Sequence, residues 1–299
     1  MIKLAQYQVF LFFLWAASLL VGWRALVHTF ALALRDDQYT YILLILPISA
    51  SLIFLERRSL RTTGSINVRV ASALIAIAIL IACFVRGWSA WLTSDALLSI
   101  KMLALVIWWD ATFVLCFGIR ALRSVLFPLL FLLGLVPLPQ VALNVIVALL
   151  QQWSTWTAHL FFTVCDVPVA QDGVLLTIPG LTIRVAQECS SIRSSSMLLV
   201  TTMILAQLLL RSPWRKALVI GLAVPLSVAK NGLRIFTIGM LATRVDSGYM
   251  TGRLHHNGGI VFFAAALIGV FTLLWIFRRG EDLPLKPKLN LAKATSNEN

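Results

Sequence analysis

The sequence predicts an all-α polytopic membrane protein with about eight transmembrane helices. Of its 299 residues, 60% are hydrophobic and only 12% are charged, whereas a soluble domain has about 45–50% apolar and about 25% charged residues. The apolar residues form runs long enough to cross a bilayer, and most basic residues lie between these runs. A net charge of +13 that is scattered in this way is not the clustered basic surface of a nucleic-acid-binding protein. No nucleic-acid partner is therefore expected.

Eight apolar runs are predicted to span the membrane, because each approaches the length that the hydrocarbon core requires. They form a single integral membrane domain over residues 1–280, followed by a polar cytoplasmic tail over residues 281–299. The first run is interpreted as a retained helix, because its small residues lie inside the run and not after it. The predicted spans lie near residues 7–21, 39–55, 70–85, 99–118, 125–138, 192–210, 217–229 and 259–277.

The segment 139–172 is predicted to be interfacial or re-entrant. Its apolar stretch follows "PLP" and is interrupted by Gln151, Gln152 and several hydroxyl side chains, which is typical of a helix at the membrane surface or of a kinked segment. A ninth full span is the competing interpretation. Short cytoplasmic loops are enriched in Lys and Arg, and eight spans place "ERRSLRTTGSINVR", "RALR", "RSPWRK" and the basic tail together in the cytoplasm.

A short β-hairpin-like segment is predicted just before the sixth span. In "GVLLTIPGLTIRVAQE" apolar residues alternate with other residues on both sides of a proline–glycine pair. Alternation around such a pair indicates two short strands joined by a turn. The eight-span topology places this segment on the extracytoplasmic side, where it leads into Cys189.

Cys189 is the predicted nucleophile. It follows Glu188 in "ECSSIRS", where a serine can cap the next helix and the free amides of the first turn stabilise an anion. Arg193 lies one turn further on, so the thiolate form is favoured, and the thiolate is the nucleophile of cysteine catalysis. No cysteine has metal-ligand spacing, and no metal or cofactor is predicted. The remaining cysteines are interpreted as structural: Cys83, Cys116 and Cys165.

Arg234 is the second candidate, in the apolar context "SVAKNGLRIFTIGML". An arginine inside a span is costly unless it has a partner or an aqueous cavity. A guanidinium can hold a developing oxyanion through its fork of donors, although snorkelling towards the headgroups is an alternative interpretation. Lys230 lies four residues earlier, which places it on the same face if the helix is unbroken. Asn231 and Gly232 are expected to loosen the helix just before Arg234.

The third candidate is the pair His255 and His256 in "RLHHNGGIVFF", directly before the last span. An imidazole can move protons near neutral pH. The alternative is a purely interfacial pair of histidines. In the eight-span topology this pair lies on the same side as Cys189 and Arg234.

The order "ECSSIRS", "NGLRI" and "LHHNGGIVFF" resembles the exosortase/archaeosortase family of polytopic membrane cysteine transpeptidases. The resemblance implies a catalytic trio of Cys189, Arg234 and His255. The family pattern has glycine where this chain has Ser191. The neighbouring residues expected to support the trio are Glu188, Arg193, Asn231 and His256.

The resemblance also implies a substrate, a partner and a place in the cell. It implies a thiol protease or transpeptidase of the bacterial inner membrane, with its active site on the extracytoplasmic side. Its partners would be exported proteins that end in a short motif, a transmembrane helix and a basic cluster, a PEP-CTERM type of tail. Cleavage through a thioester acyl-enzyme would transfer them to a surface acceptor. The alternative is a non-catalytic transporter or polysaccharide-export component, because polar breaks such as "KNGLR" also occur in discontinuous transporter helices.

Overall fold

The computed structural model describes residues 2–56, 68–185, 192–245 and 259–282, and within these ranges it confirms a helical polytopic membrane fold with a small sheet. The helices are α1 (Ile2–Arg35), α2 (Ile42–Leu55), α3 (Val68–Trp88), α4 (Ser94–Ser124), α5 (Leu126–Phe131), α6 (Gln140–Val164), α7 (Ile192–Leu209), α8 (Pro213–Arg244) and α9 (Gly259–Asp282). The strands are β1 (Ala170–Asp172), β2 (Leu175–Ile178) and β3 (Leu181–Arg184), and 3-10 turns cover Asp37–Tyr39 and Leu132–Leu135.

Seven of the described helical segments are long and apolar enough to cross a membrane: α1, the 3-10 turn with α2, α3, α4, α7, α8 and α9. Their surfaces carry large exposed apolar side chains, such as Leu20 at 81% and Val21 at 89% exposure. Such a surface would be costly in water but not in contact with lipid. The chain is therefore a multi-pass membrane protein.

The region between α4 and the sheet contains a sharp bend. α5 and the following 3-10 turn cover only Leu126–Leu135, which is about 15–20 Å of chain. α6 continues for 25 residues at an angle of 101° to this short piece, so the pair forms either a broken span or a re-entrant loop. If the pair counts as one span, the number of candidate spans is eight. Both interpretations of 139–172 stay predictions.

Three hydrogen bonds fix this bend in place. The Tyr39 hydroxyl donates to the carbonyl of Leu138 at 2.8 Å, and the Ser99 hydroxyl donates to that of Pro137 at 2.7 Å. The Asp95 carboxylate accepts the N–H of Gln140, the first residue of α6, at 2.8 Å. The "VPLP" turn is thus held by side chains of the α1–α2 connection and of α4.

The predicted hairpin forms, and β1 extends it to a three-stranded antiparallel sheet in the order β1–β2–β3. Gly180 joins β2 to β3 with a φ of +81°, a conformation that favours glycine. Leu176 and Ile178 are buried while Leu175 is exposed, which is the period of two expected for strands.

The chain divides into two compact units, which we describe separately. Unit 1 comprises residues 1–155, 172–175 and 184–196, and unit 2 comprises residues 156–171, 176–183 and 197–299. In unit 1, Trp15 of α1 stacks on Trp109 of α4 with ring centroids 5.5 Å apart. In unit 2, α7, α8 and α9 share an apolar core formed by Leu198, Ala206, Leu210, Val219, Ala266, Val270 and Leu274.

Candidate active site

The described residues include Arg234 and the supporting residues Arg193 and Asn231. Cys189 and Glu188 fall in the segment 186–191, and His255 and His256 fall in the segment 246–258, so these four predicted site residues lie outside the described residues. The structure shows how the chain is held on either side of these two segments.

Arg234 belongs to a row of polar residues on α8, which we call the α8 polar stripe: Ser227, Lys230, Asn231 and Arg234. Spacings of three and four residues place all four on one helix face. Ser227, Lys230 and Asn231 are buried at 2%, 6% and 1% exposure. Each residue of the stripe takes part in hydrogen-bonding or electrostatic interactions. Buried polar groups in a membrane-spanning helix are costly without such interactions.

The expectation that Asn231 and Gly232 loosen α8 is wrong. The helix is continuous from Pro213 to Arg244. A Cβ at position 232 would lie 2.6 Å from Cγ2 of Thr157 and 3.1 Å from the backbone nitrogen of Ala158. Glycine is required because α6 and α8 approach each other closely here, as small residues allow in membrane helices. The unbroken helix also removes the feature that favoured a transporter.

The same face of α8 continues to pack against α6 and the sheet. A Cβ at Gly239 would lie 2.8 Å from Cδ1 of Ile183 and 2.9 Å from Cζ of Phe162. Phe236 meets Phe162 edge to face, with ring centroids 5.0 Å apart. Arg234 is two residues from Gly232, about 200° around the helix, so it projects from a different face than the one that packs on α6.

The beginning of α9 lies near the level of Arg234. A Cβ at Gly269 would lie 3.2 Å from Cδ1 of Leu226, and Nη2 of Arg215 donates to the carbonyl of Gly280 at 2.9 Å. These pairs show that α8 and α9 are antiparallel, and the same register places Gly259 near the level of Phe236. His255 and His256 directly precede this end of α9 in the sequence.

At the opposite end of unit 2, two basic segments meet. The Glu281 carboxylate accepts backbone N–H groups of Arg211 at 2.9 Å and of Ser212 at 2.8 Å. Arg215 also donates to the carbonyl of Phe277 at 2.8 Å. The "RSPWRK" connection and the beginning of the basic tail therefore lie at the same end of α8, away from Arg234.

The chain is anchored on both sides of the Cys189 segment. Upstream, the N–H of Val185 donates to the carbonyl of Val174 at 3.0 Å, and its own carbonyl accepts from Nε2 of Gln151. Downstream, Nη1 of Arg193 lies 2.7 Å from Oδ2 of Asp37. All of these contacts lie in unit 1.

Sequence reasoning missed both anchors. The sequence presents Gln151 only as a polar interruption of the apolar segment 139–172, and Arg193 only as a cation near Cys189. Asp37 stands far from Arg193 in the sequence, in the connection between α1 and α2, and no local pattern links the two. Arg193 therefore links the first turn of α7 to the connection between α1 and α2.

Comparison with known proteins identifies one family. A family model described as transmembrane exosortase matches residues 23–272, which is most of the chain. The matched range includes all three motifs, "ECSSIRS", "NGLRI" and "LHHNGGIVFF". No curated protein matches the chain, and no solved structure matches it.

Proposed function

The chain belongs to the transmembrane exosortase family, and from this premise we propose that it is a membrane cysteine transpeptidase or endopeptidase acting on exported proteins. The observation that carries the proposal is the buried α8 polar stripe, which holds Arg234 on a membrane-spanning helix near the level where α9 begins. Polar and charged residues inside a membrane carry a high free-energy cost, and they are therefore expected at functional sites.

The proposed reaction begins with Cys189. Its thiolate sulfur attacks the scissile carbonyl carbon of the substrate, forming a C–S bond and a tetrahedral oxyanion. Arg234 donates hydrogen bonds to that oxyanion. The C–N bond then breaks, and His255 gives a proton to the departing amine. The product of this half-reaction is a thioester between Cys189 and the substrate.

The second half-reaction resolves the thioester. A nucleophile at the cell surface attacks the thioester carbonyl, the C–S bond breaks and the thiolate of Cys189 is restored. In this proposal His255 accepts the proton of the incoming nucleophile. A site near the membrane interface limits access of water and thereby favours transfer over hydrolysis.

The fixed geometry of α8 supports the role of Arg234. An oxyanion donor is effective when it is preorganised, because it then needs no rearrangement as charge develops. The contacts of Gly232 and Gly239 fix the rotation of α8 against α6 and the sheet, and the neighbouring stripe residues are buried. Arg234 is thus carried by a rigid element, with Asn231 and Lys230 as supporting groups.

We propose the bacterial inner membrane as the location, with the active site on the extracytoplasmic side. The contacts of Glu281 with Arg211 and Ser212 join two basic segments at one end of α8, and cytoplasmic loops are the ones enriched in basic residues. Arg234 lies towards the other end of that helix. The proposed substrate tail is a short motif followed by a transmembrane helix and a basic cluster. With its basic cluster in the cytoplasm, its short motif lies on the extracytoplasmic side, the same side as the proposed active site.

The test is processing of a reporter protein that ends in a PEP-CTERM tail, followed by immunoblotting of membranes. Cys189→Ala and Cys189→Ser should leave the precursor uncut. Cys165→Ala is the matched control, because Cys165 is a free, exposed cysteine, and it should process normally. Normal processing by Cys189→Ser would show that only size and polarity matter at this position, and would support a non-catalytic protein.

A second comparison separates the two histidines. His255→Ala should block processing, whereas His256→Ala should slow it only modestly, since His256 is assigned a supporting role. The reverse pattern would move the proton-transfer role to His256. Equal and near-normal rates in both variants would remove histidine from the mechanism.

A further inference from the structure

A large cavity lies within unit 1, between α1, α3 and α4 and beside the "VPLP" turn. Its volume is ≈ 1330 Å³, which exceeds the about 300–1,000 Å³ of most small-molecule sites. The cavity is separate from the α8 polar stripe, because all of its lining residues belong to residues 17–138. The proposed catalytic reaction does not use it.

Four cationic side chains line this cavity: Arg24, Arg35, Arg86 and Lys101. The one acid that lines it is Asp95, whose carboxylate already accepts the N–H of Gln140. The lining therefore has a strong excess of positive charge. Within the part of the chain that the structure describes, none of the four cationic side chains forms an ion pair or donates a hydrogen bond.

The cations are placed along the cavity and not only at its mouth. Arg24 lies eleven residues before the end of α1, about 16 Å along the helix axis. Lys101 lies seven residues after the beginning of α4, about 10 Å along that axis. A cation so far from a helix end is costly inside a membrane unless water or an anion accompanies it.

The rest of the lining is apolar. Val21, Ile79, Leu98 and Leu105 contribute hydrocarbon surface from all three helices. At the connection between α3 and α4, Trp88 and Trp91 are exposed at 54% and 83%, and exposed tryptophans of this kind mark the membrane–water interface. The cavity thus combines cations with hydrocarbon surface, and it lies beside helix ends that carry interfacial tryptophans.

We propose that this cavity binds a membrane lipid with an anionic, phosphate-bearing headgroup. The phosphate accepts hydrogen bonds from the arginine and lysine side chains, since a guanidinium donates two parallel bonds to phosphate oxygens. The acyl chains lie against the apolar lining. Bound phosphate compensates the charge of Arg24 and Lys101, which have no partner of their own in the described structure.

The test uses the full-length protein in a neutral detergent, with no protein substrate present, so its outcome does not depend on the proposed enzymatic function. Native mass spectrometry measures the apparent Kd for phosphatidylglycerol and for phosphatidylcholine with identical acyl chains. Arg24→Gln and Lys101→Gln should each weaken phosphatidylglycerol binding about tenfold, as expected for one charge-assisted hydrogen bond. Phosphatidylcholine should bind the unmodified protein more weakly than phosphatidylglycerol, because its choline cation is repelled by the cationic side chains of the cavity.

Arg69→Gln is the matched control. Arg69 is an exposed arginine of unit 1 in the first turn of α3, and it does not line the cavity. It should bind phosphatidylglycerol like the unmodified protein. If Arg24→Gln does not fold, Arg86→Gln replaces it, because Arg86 lies near the end of α3.

Two results would overturn the proposal. Equal losses in Arg69→Gln and in the cavity variants would show that only overall charge attracts the lipid. Glycerol phosphate that binds as tightly as phosphatidylglycerol would assign the cavity to water-soluble phosphates and exclude a lipid.

Discussion

Arg24 and Arg234 are two arginines within membrane-spanning helices, and their surroundings differ. Arg234 has interaction partners within the protein and stands in a row with three buried polar residues. Arg24 lines an open cavity, and in the described structure its guanidinium has no hydrogen-bond or ion-pair partner. The protein itself thus supplies interactions to Arg234. For Arg24 we propose that a lipid phosphate from outside the protein supplies them.

The difference shows how the same costly residue can be tolerated in two ways. A charge within a membrane needs polar neighbours, water or a counter-ion. α8 places the uncharged polar side chains of Ser227 and Asn231 in one row with its two cations, Lys230 and Arg234, whereas the lining from α1, α3 and α4 combines cations with hydrocarbon. Substitutions at the two arginines should therefore have different consequences.

The largest expected effect is on the reaction rate at Arg234. Arg234→Ala should reduce cleavage of the reporter precursor by about 10²–10³-fold, as expected for one oxyanion donor. Arg234→Lys should also be poor, because lysine keeps the charge but loses the fork of donors. Arg244→Gln, an exposed site at the end of the same helix, should cleave normally. An unchanged rate in Arg234→Ala would exclude the arginine from the chemistry.

The next-largest effect is on the stability of the protein, which should fall more on a substitution in the α8 polar stripe than on one in the cavity. Asn231→Leu should destabilise the protein by about 1–3 kcal/mol, because it removes the interactions of a buried polar side chain. Arg24→Gln should not lower the unfolding midpoint in a neutral, lipid-free detergent, since it removes a cation without a protein partner. Thermal unfolding in the same detergent measures both. A larger loss in Arg24→Gln than in Asn231→Leu would reverse the comparison.

The close approach of α6 and α8 provides a third test. Gly232→Ala should cost about 1–3 kcal/mol, as overpacking does, because its Cβ would lie 2.6 Å from Thr157. Alanine favours a helix over glycine by about 1 kcal/mol, so the clash must exceed this gain. Gly221→Ala on the same helix has open space around it and should be neutral or stabilising. Equal unfolding midpoints in the two variants would contradict the close contact.

The smallest effect is expected at the exposed ion pair of Arg193 and Asp37. The side chains are 53% and 73% exposed, and exposed pairs contribute about 0–1 kcal/mol. Asp37→Asn should therefore hardly change the unfolding midpoint. It should still slow precursor cleavage by a few-fold, because it releases the beginning of α7 next to the Cys189 segment. A loss of stability well above this range would mean that the pair does more than position the chain.

Sequence reasoning succeeded where a local pattern decides the structure. The long apolar runs predicted the long apolar helices, and the alternation around Pro179 and Gly180 predicted the turn between β2 and β3. It failed at Asn231 and Gly232, where local helix propensity indicated loosening but contact with Thr157 explains the glycine. It also missed the pairing of Arg193 with Asp37, because the helices α2 to α6 lie between the two residues and no periodicity relates them.

The cationic cavity was missed for a related reason. Arg24, Arg86 and Lys101 stand on three different helices, and each one alone is a single basic residue in or near an apolar run. Only the packing of α1, α3 and α4 places them around one space. The catalytic groups could be proposed from the sequence because each is embedded in a distinctive local motif.

The most direct test of the enzymatic account is whether Cys189 becomes acylated by its substrate. Membranes that contain the protein and the reporter precursor would be quenched during turnover, and peptides spanning residue 189 would be analysed by mass spectrometry. The account predicts a hydroxylamine-sensitive thioester that joins the cleaved end of the reporter to Cys189 and is absent in Cys189→Ala. Cleavage of the reporter by the unmodified protein without acylation of Cys189 at any time point, or equal cleavage by Cys189→Ala, would contradict it.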